Sequence, residues 1–168
     1  MWWVTGMVHY GLVVPPRVNP EAVDSVDPAL TSAEGSLPFS IDVRARFAET
    51  DAMGIVHHAS YLAWLEQARV EYLRHIGHPY QQVRESGVDF AVIEATLRYY
   101  RPVLFDEIVT IHVWFADMSR ASFRMDYTLT VAGQRRTSAQ TRHAAIDSTT
   151  GEPLRLPAWI VAMGTSAP

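Results

Sequence analysis

The chain has no cysteine. That excludes a disulfide framework, a thiolate metal site and a cysteine nucleophile, and it fits the reducing cytoplasm, where the protein is expected. Lysine is missing too: all 14 basic side chains are arginine. Chemistry that needs an amine, such as a Schiff base or a Walker-type phosphate lysine, is therefore excluded. Arginine suits paired recognition of phosphate, although a coding bias by itself accounts for such a composition. No apolar run reaches the roughly 18 residues that span a bilayer, so no membrane association is expected. Positive charge is in deficit, with a net charge of −4, which argues against a general nucleic-acid binder. What is present, 168 residues of which 48% are apolar, suffices for one domain with a real core and is cramped for two.

Residues 1–38 differ from the rest. Met1 to Val14 is apolar but has no basic residue ahead of it and meets Pro15-Pro16, unlike a signal peptide. Half of the ten prolines fall between Pro15 and Pro38. The segment reads as an extended or disordered extension, with Met7 a second candidate start. Residues 39–168 read as a single domain.

From Phe39 the pattern is regular. Phe39, Ile41, Val43, Ala45 and Phe47 alternate with polar residues, as on a half-buried strand. A loop follows from Ala48 to Gly54. Residues 59–76 then change period: Tyr61, Leu62, Leu65, Ala68, Tyr72, Leu73 and Ile76 make one helical stripe opposite Gln67, Glu71 and Arg74. Gly77 closes this helix, and His78-Pro79 stops it. A short helix is expected over 80–86, strands over 88–100, 107–115, 121–131 and 136–147, and a helical turn near Ala158 to Met163. The Gly133-Gln134 pair marks a hairpin. The order is one strand, one long helix and about four antiparallel strands: an α+β fold, with the sheet wrapped around the helix.

One stretch carries chemistry. Asp51 lies seven residues ahead of the helix entry at His58-Ala59, so the loop can fold its carboxylate back beside the first turn. The N–H groups there lack intrahelical partners and carry positive partial charge. Such a pair can activate water or attack a carbonyl carbon while the N–H groups receive the oxyanion. Gly54 lets the loop turn. From spacing alone, Asp51 reads as readily as a capping carboxylate. Glu49 is the backup carboxylate and is expected to be exposed. Adjacent His57 and His58 point apart and do not make a metal site. Glu66 and Arg69, three apart, are expected to form a local ion pair.

The run from Arg46 through Glu49-Thr50-Asp51-Ala52-Met53-Gly54 to His57-His58-Ala59-Ser60-Tyr61, followed by Glu66-Gln67-Ala68-Arg69, closely resembles the hotdog-fold acyl-CoA thioesterases of the 4-hydroxybenzoyl-CoA thioesterase type. Weaker echoes fall at Tyr99-Tyr100-Arg101-Pro102 and from Ser119 to Phe123. The resemblance implies a hotdog fold and hydrolysis of an acyl-CoA thioester to free acid and CoA, without cofactor or metal. It assigns Asp51 as nucleophile or general base and the His58 and Ala59 N–H groups as the oxyanion hole. It places Gly54, Tyr61 and Glu66 near the acyl group, and Arg120 and Ser122 at the nucleotide end of CoA, across a subunit boundary. A homodimer or homotetramer follows from it. His58 stands where tyrosine is frequent in the family. Three other readings stay open: a non-catalytic module that binds an acyl ligand or a partner, a thioesterase for acyl-carrier-protein thioesters, and a dehydratase or isomerase.

Overall fold

The computed structural model describes residues 39–164; the expected N-terminal extension, 1–38, lies outside the described residues. The elements are β1 (Ser40–Arg44), a 3-10 turn (Phe47–Glu49), α1 (His58–His75), α2 (Tyr80–Glu85), β2 (Val88–Tyr99), β3 (Ile108–Met118), β4 (Ser122–Val131), β5 (Gln134–Asp147) and α3 (Ala158–Gly164). The five strands form one antiparallel sheet in the order β1-β3-β4-β5-β2. This is the expected α+β hotdog architecture, a sheet around a long helix.

Strand alternation sets the core face. Phe123, Met125, Tyr127 and Leu129 of β4 meet Val109, Ile111 and Val113 of β3, all buried. β4 returns into β5 through Ala132 and Gly133, which both hold positive φ, as a two-residue hairpin turn of the primed type requires. α1 lies on this face and presents Tyr61, Trp64, Leu65, Ala68 and Leu73, each buried. Fully burying a side chain of this size contributes about 1.5 to 3 kcal/mol, so the helix is held by its packed face rather than by propensity.

Two positions differ from the sequence reading. Leu62, expected on the buried stripe, is exposed, while Trp64, like Tyr61 and Leu65, is buried as a core residue. The buried stripe drifts around α1, from the Trp64 side at its start to the Leu73 side near its end, because a twisted sheet meets a straight helix at a changing angle. Phe47 is not on β1: the strand ends at Arg44, and Phe47 is 76% exposed in the 3-10 turn, edge-on to Phe105. A 3-10 turn replaces the period of two with three residues per turn and so carries Phe47 off the core face.

The core also contains polar groups. His143 is buried, stacks on Phe123 and shares a 2.8 Å hydrogen bond with Thr141. Burial, with the Arg69 charge adding to it, pushes its pKa down to about 3, so the imidazole is neutral. The C-terminal segment closes one end: Ile160 of α3 is buried and Trp159 stacks on His78 at 3.9 Å. No helix of the described residues is long and apolar enough to cross a membrane.

Candidate active site

The loop between the 3-10 turn and α1 is held by short backbone bonds. Thr50 and Val56 form an antiparallel bridge, and Ile55 does the same with Leu104. The Val56 N–H donates to Val103 O at 2.8 Å. At the tip, Asp51 N–H donates to Ile55 O at 2.9 Å and Gly54 N–H returns to Asp51 O at 2.9 Å. Gly54 has φ +73, the left-handed conformation for which its position was singled out. The Asp51 carboxylate accepts the Met53 N–H through Oδ1 at 2.8 Å, leaving Oδ2 without a protein donor.

Asp51 lines a partly open cavity of about 520 Å³ together with Ile55, His58, Tyr61, Tyr99 and Arg101. The cavity thus joins the loop, the first turn of α1 and the end of β2. Tyr61 and Tyr99 meet edge to face with centroids 5.0 Å apart, and the Tyr99 hydroxyl donates to His58 O at 3.4 Å. Burial pushes the Tyr61 and Tyr99 phenols above their ordinary values, so both stay neutral donors. In the sequence, Tyr99, Tyr100 and Arg101 carry only a weak echo of the family pattern. Two aromatics and an arginine before a proline at a strand end were the available signal.

The helix start has a specific hydrogen-bond state. His57 is the N-cap of α1, and its Nδ1 accepts the Ala59 N–H at 3.2 Å. The His57 N–H goes to Glu49 O at 2.7 Å and the Ser60 N–H to His57 O at 3.0 Å. The His58 N–H remains available, whereas the Ala59 N–H reaches a substrate only if the His57 ring rotates away. Contrary to the expectation that the adjacent rings point apart, that ring lies against His58 with centroids 4.0 Å apart, because His57 is the extended N-cap and not part of a regular helix or strand. Among the described residues no group of three metal-ligating side chains converges.

Glu49 departs most from expectation: it is buried, at 8% exposure, rather than solvated. Its Oε1 accepts the Trp64 indole N–H at 3.1 Å and an Arg46 guanidinium N–H at 2.7 Å, and its Oε2 accepts the Arg46 backbone N–H at 2.8 Å. Its carbonyl takes the Ser60 hydroxyl as well as the His57 N–H. Burial alone raises the carboxyl pKa, but the bonds from Arg46 and Trp64 outweigh it and hold the group below its ordinary value. One residue therefore ties the entry of the Asp51 loop to the first two turns of α1.

The expected Glu66–Arg69 pair is not formed. Arg69 is buried and lies over the Tyr80 ring at 4.9 Å, while Glu66 is exposed and outside the cavity lining. The helical drift that buries Leu73 also draws Arg69 inward. Arg120 sits in the β3–β4 turn and Ser122 opens β4, the turn being closed by Ser119 and Ser122 hydroxyls 2.8 Å apart. β4 has 10 residues, so this turn is roughly 30 Å from the β4–β5 hairpin that shares the cavity end of the sheet. Within one chain Arg120 and Ser122 do not meet Asp51.

Comparison with known proteins bears on the fold and the family. Residues 45–163 match the model of the thioesterase-like superfamily. The chain is 33% identical over 127 residues to the acyl-CoA thioester hydrolase YbgC of Escherichia coli, covering 74% of this chain and 93% of that protein. Among solved structures, the DHNA-CoA thioesterase of Staphylococcus aureus superimposes with a TM-score of 0.71 at 27% identity, over 75% of this chain and 88% of that one. A thioesterase of Thermus thermophilus, solved with coenzyme A and zinc, gives 0.64 at 27% identity over 74% and 89%.

Proposed function

Since the chain belongs to the thioesterase-like superfamily and is a thioester hydrolase acting on acyl-CoA, we propose that Asp51 performs the reaction in the cavity at the start of α1. The observation that carries this is the convergence of a half-buried carboxylate having one unbonded oxygen with an available helix N-terminal N–H. The thioester carbonyl oxygen takes the His58 N–H, joined by the Ala59 N–H when His57 swings aside. Asp51 then either attacks the carbonyl carbon or takes a proton from a water that attacks it. The tetrahedral intermediate collapses and the C–S bond breaks, expelling CoA as its thiolate; as base Asp51 returns its proton to that thiolate, whereas after direct attack a water hydrolyses the Asp51–acyl anhydride to release the free acid. Tyr61, Tyr99 and the loop tip at Met53 and Ile55 wall the acyl group, with Gly54 shaping that tip; Glu66, exposed on α1 and outside the lining, takes no part. The CoA carrier and the missing cysteines both fit a cytoplasmic setting.

The experiment is thiol release from a panel of aromatic and aliphatic acyl-CoAs and the matching acyl-carrier-protein thioesters. Release from at least one CoA donor is expected. No release from any donor, with CoA still bound, would favour the non-catalytic binding module.

The same reading includes a second copy. β2 is the last described strand of the sheet, and it exposes Val92 and Ile93 at 57% each beside a bulge. Such an edge is paired or protected in stable proteins. Antiparallel pairing of two β2 edges sets the end of one β2 beside the start of the other. The partner's β3–β4 turn, with its copies of Arg120 and Ser122, then lies at the cavity end of the first chain. A homodimer or homotetramer is expected by light scattering; a monomer throughout the micromolar range would contradict it.

A further inference from the structure

We infer that Met53, at the tip of the Asp51 loop, is an oxidation site through which peroxide weakens acyl binding. This rests on the thioesterase reading above, because it takes the loop tip as a wall of the acyl site.

The loop sets the exposure. The Asp51 N–H and Ile55 O close the tip at 2.9 Å, and Gly54, in the left-handed conformation, turns the chain directly after Met53. The Met53 side chain is 75% exposed, and it lines the cavity together with Asp51. The other methionines of the described residues are sheltered: Met125 is fully buried in β4, and Met118 and Met163 are half-buried. The chain has no cysteine, so thioethers are its only sulfur, and Met53 is the exposed one among the described residues. Thioether sulfur is open to peroxide where solvent reaches it.

Place decides the consequence. Met53 shares the cavity lining with Ile55, Val56 and Tyr61, an apolar and aromatic wall. An unbranched thioether suits such a wall because it is apolar and adapts to the shape laid against it. Oxidation ends that. The sulfur lone pair attacks one oxygen of hydrogen peroxide, and the S–O bond forms as the O–O bond breaks. The leaving hydroxide takes the proton from the sulfur-bound oxygen and departs as water. Sulfur loses two electrons and the peroxide gains them. The product is a polar sulfoxide, and an acyl group laid against it displaces its water without returning a hydrogen bond. The contact that holds the carboxylate is spared: Asp51 Oδ1 accepts the Met53 backbone N–H at 2.8 Å, which peroxide does not attack. Oxidation therefore acts on KM more than on kcat.

The test treats the full-length wild type with hydrogen peroxide and follows each methionine by peptide mass spectrometry. Met53 is expected to convert about fivefold faster or more than Met118, Met125 and Met163, in keeping with its exposure. Ketone analogues of hexanoyl-CoA and benzoyl-CoA, with methylene in place of the thioester sulfur, cover the acyl site without being cleaved. At saturation one of them should slow conversion of Met53 about fivefold or more by occupancy. Desulfo-CoA, which has no acyl group, should not. After conversion, KM for the largest acyl group cleaved in the panel should rise about fivefold to tenfold, the lower range for setting an unpaired polar group against apolar surface. Treatment with the two methionine sulfoxide reductases, one for each epimer, should restore it. Met53→Leu, compared with its own untreated sample, should keep its KM through peroxide, whereas Met118→Leu should lose affinity as the wild type does. Conversion of Met53 no faster than of Met118, no protection by either ketone analogue, or an unchanged KM in protein oxidised at Met53 would each overturn the site while leaving the thioesterase reading intact. An equal loss in Met53→Leu would do the same, by placing the lesion elsewhere. Failure of the untreated wild type to release thiol from every donor would instead overturn that reading. The protection measurement needs no turnover and then decides the Met53 site: slower conversion under a ketone analogue supports it, and equal conversion refutes it.

Discussion

Asp51→Asn is expected to lower kcat at least ~10²-fold, the lower range for removing a positioned acid–base group, with a far smaller change in KM. The substitution retains an Oδ1 that accepts the Met53 N–H, so the loop tip keeps its turn. It removes the charge, the basicity and the nucleophilicity of the free oxygen, which the chemical step needs. Folding should be almost untouched, because a local capping bond of this kind contributes about 1 kcal/mol. Steady-state kinetics with parallel thermal melts checks both halves. Rapid quench with enzyme in excess then separates the two roles: an acyl-enzyme that forms and decays marks Asp51 as nucleophile, and its absence marks a general base. Glu94→Gln, a charge loss at an exposed side chain of β2, is the control. A normal kcat in Asp51→Asn would remove Asp51 from the mechanism.

Glu49→Gln is expected to act differently, lowering both stability and rate. The native carboxylate receives three hydrogen bonds, two from Arg46 and one from Trp64. Gln keeps the shape but has one carbonyl oxygen and no charge, and its amide N–H groups oppose the donors. Losing charged hydrogen bonds at this site costs about 2 to 3 kcal/mol, a fall in melting temperature of roughly 5 to 10 °C for a domain of this size. Because Glu49 ties the Asp51 loop to α1, kcat should fall about tenfold or more as the carboxylate drifts from the His58 N–H. Trp64→Phe keeps the ring packing, removes one donor and should give a smaller loss of the same kind. The pH dependence has a definite sign. A carboxyl whose folded pKa is depressed stabilises fully above its unfolded value, ~4.3 for glutamate, and loses that stabilisation as pH falls through the folded value. Wild-type protein should therefore show an acid-labile component of stability below that pH which is missing in Glu49→Gln. A wild-type melting temperature in Glu49→Gln would show that the clamp holds nothing.

The alternation of β4 and the stripe of α1 were legible because a period of two or of 3.6 residues is set by the backbone alone. Ala121 to Val131 reads as a strand and is one from Ser122 on. Gly54 and Gly77 were legible for the same kind of reason: both hold a positive φ that residues with a Cβ rarely adopt. Less legible were residues whose environment comes from distant parts of the chain. Glu49 looks like any loop carboxylate until Trp64, fifteen positions on, is folded over it. Tyr99 and Arg101 join Asp51 only because β2 ends beside the start of α1.

The sequence by itself determined the number and kind of elements, the antiparallel sheet and the loop bearing Asp51 ahead of a helix start, since these follow from local backbone preferences and side-chain period. The tertiary structure alone decided that Glu49 is a buried clamp, that Arg69 leaves Glu66 for the Tyr80 ring, and that Arg120 lies at the far end of the sheet. It also decided that Tyr99, Tyr100 and Arg101 line the cavity beside Asp51. Burial, pairing and proximity depend on how a twisted sheet wraps its helix, and residue spacing along the chain does not encode that angle.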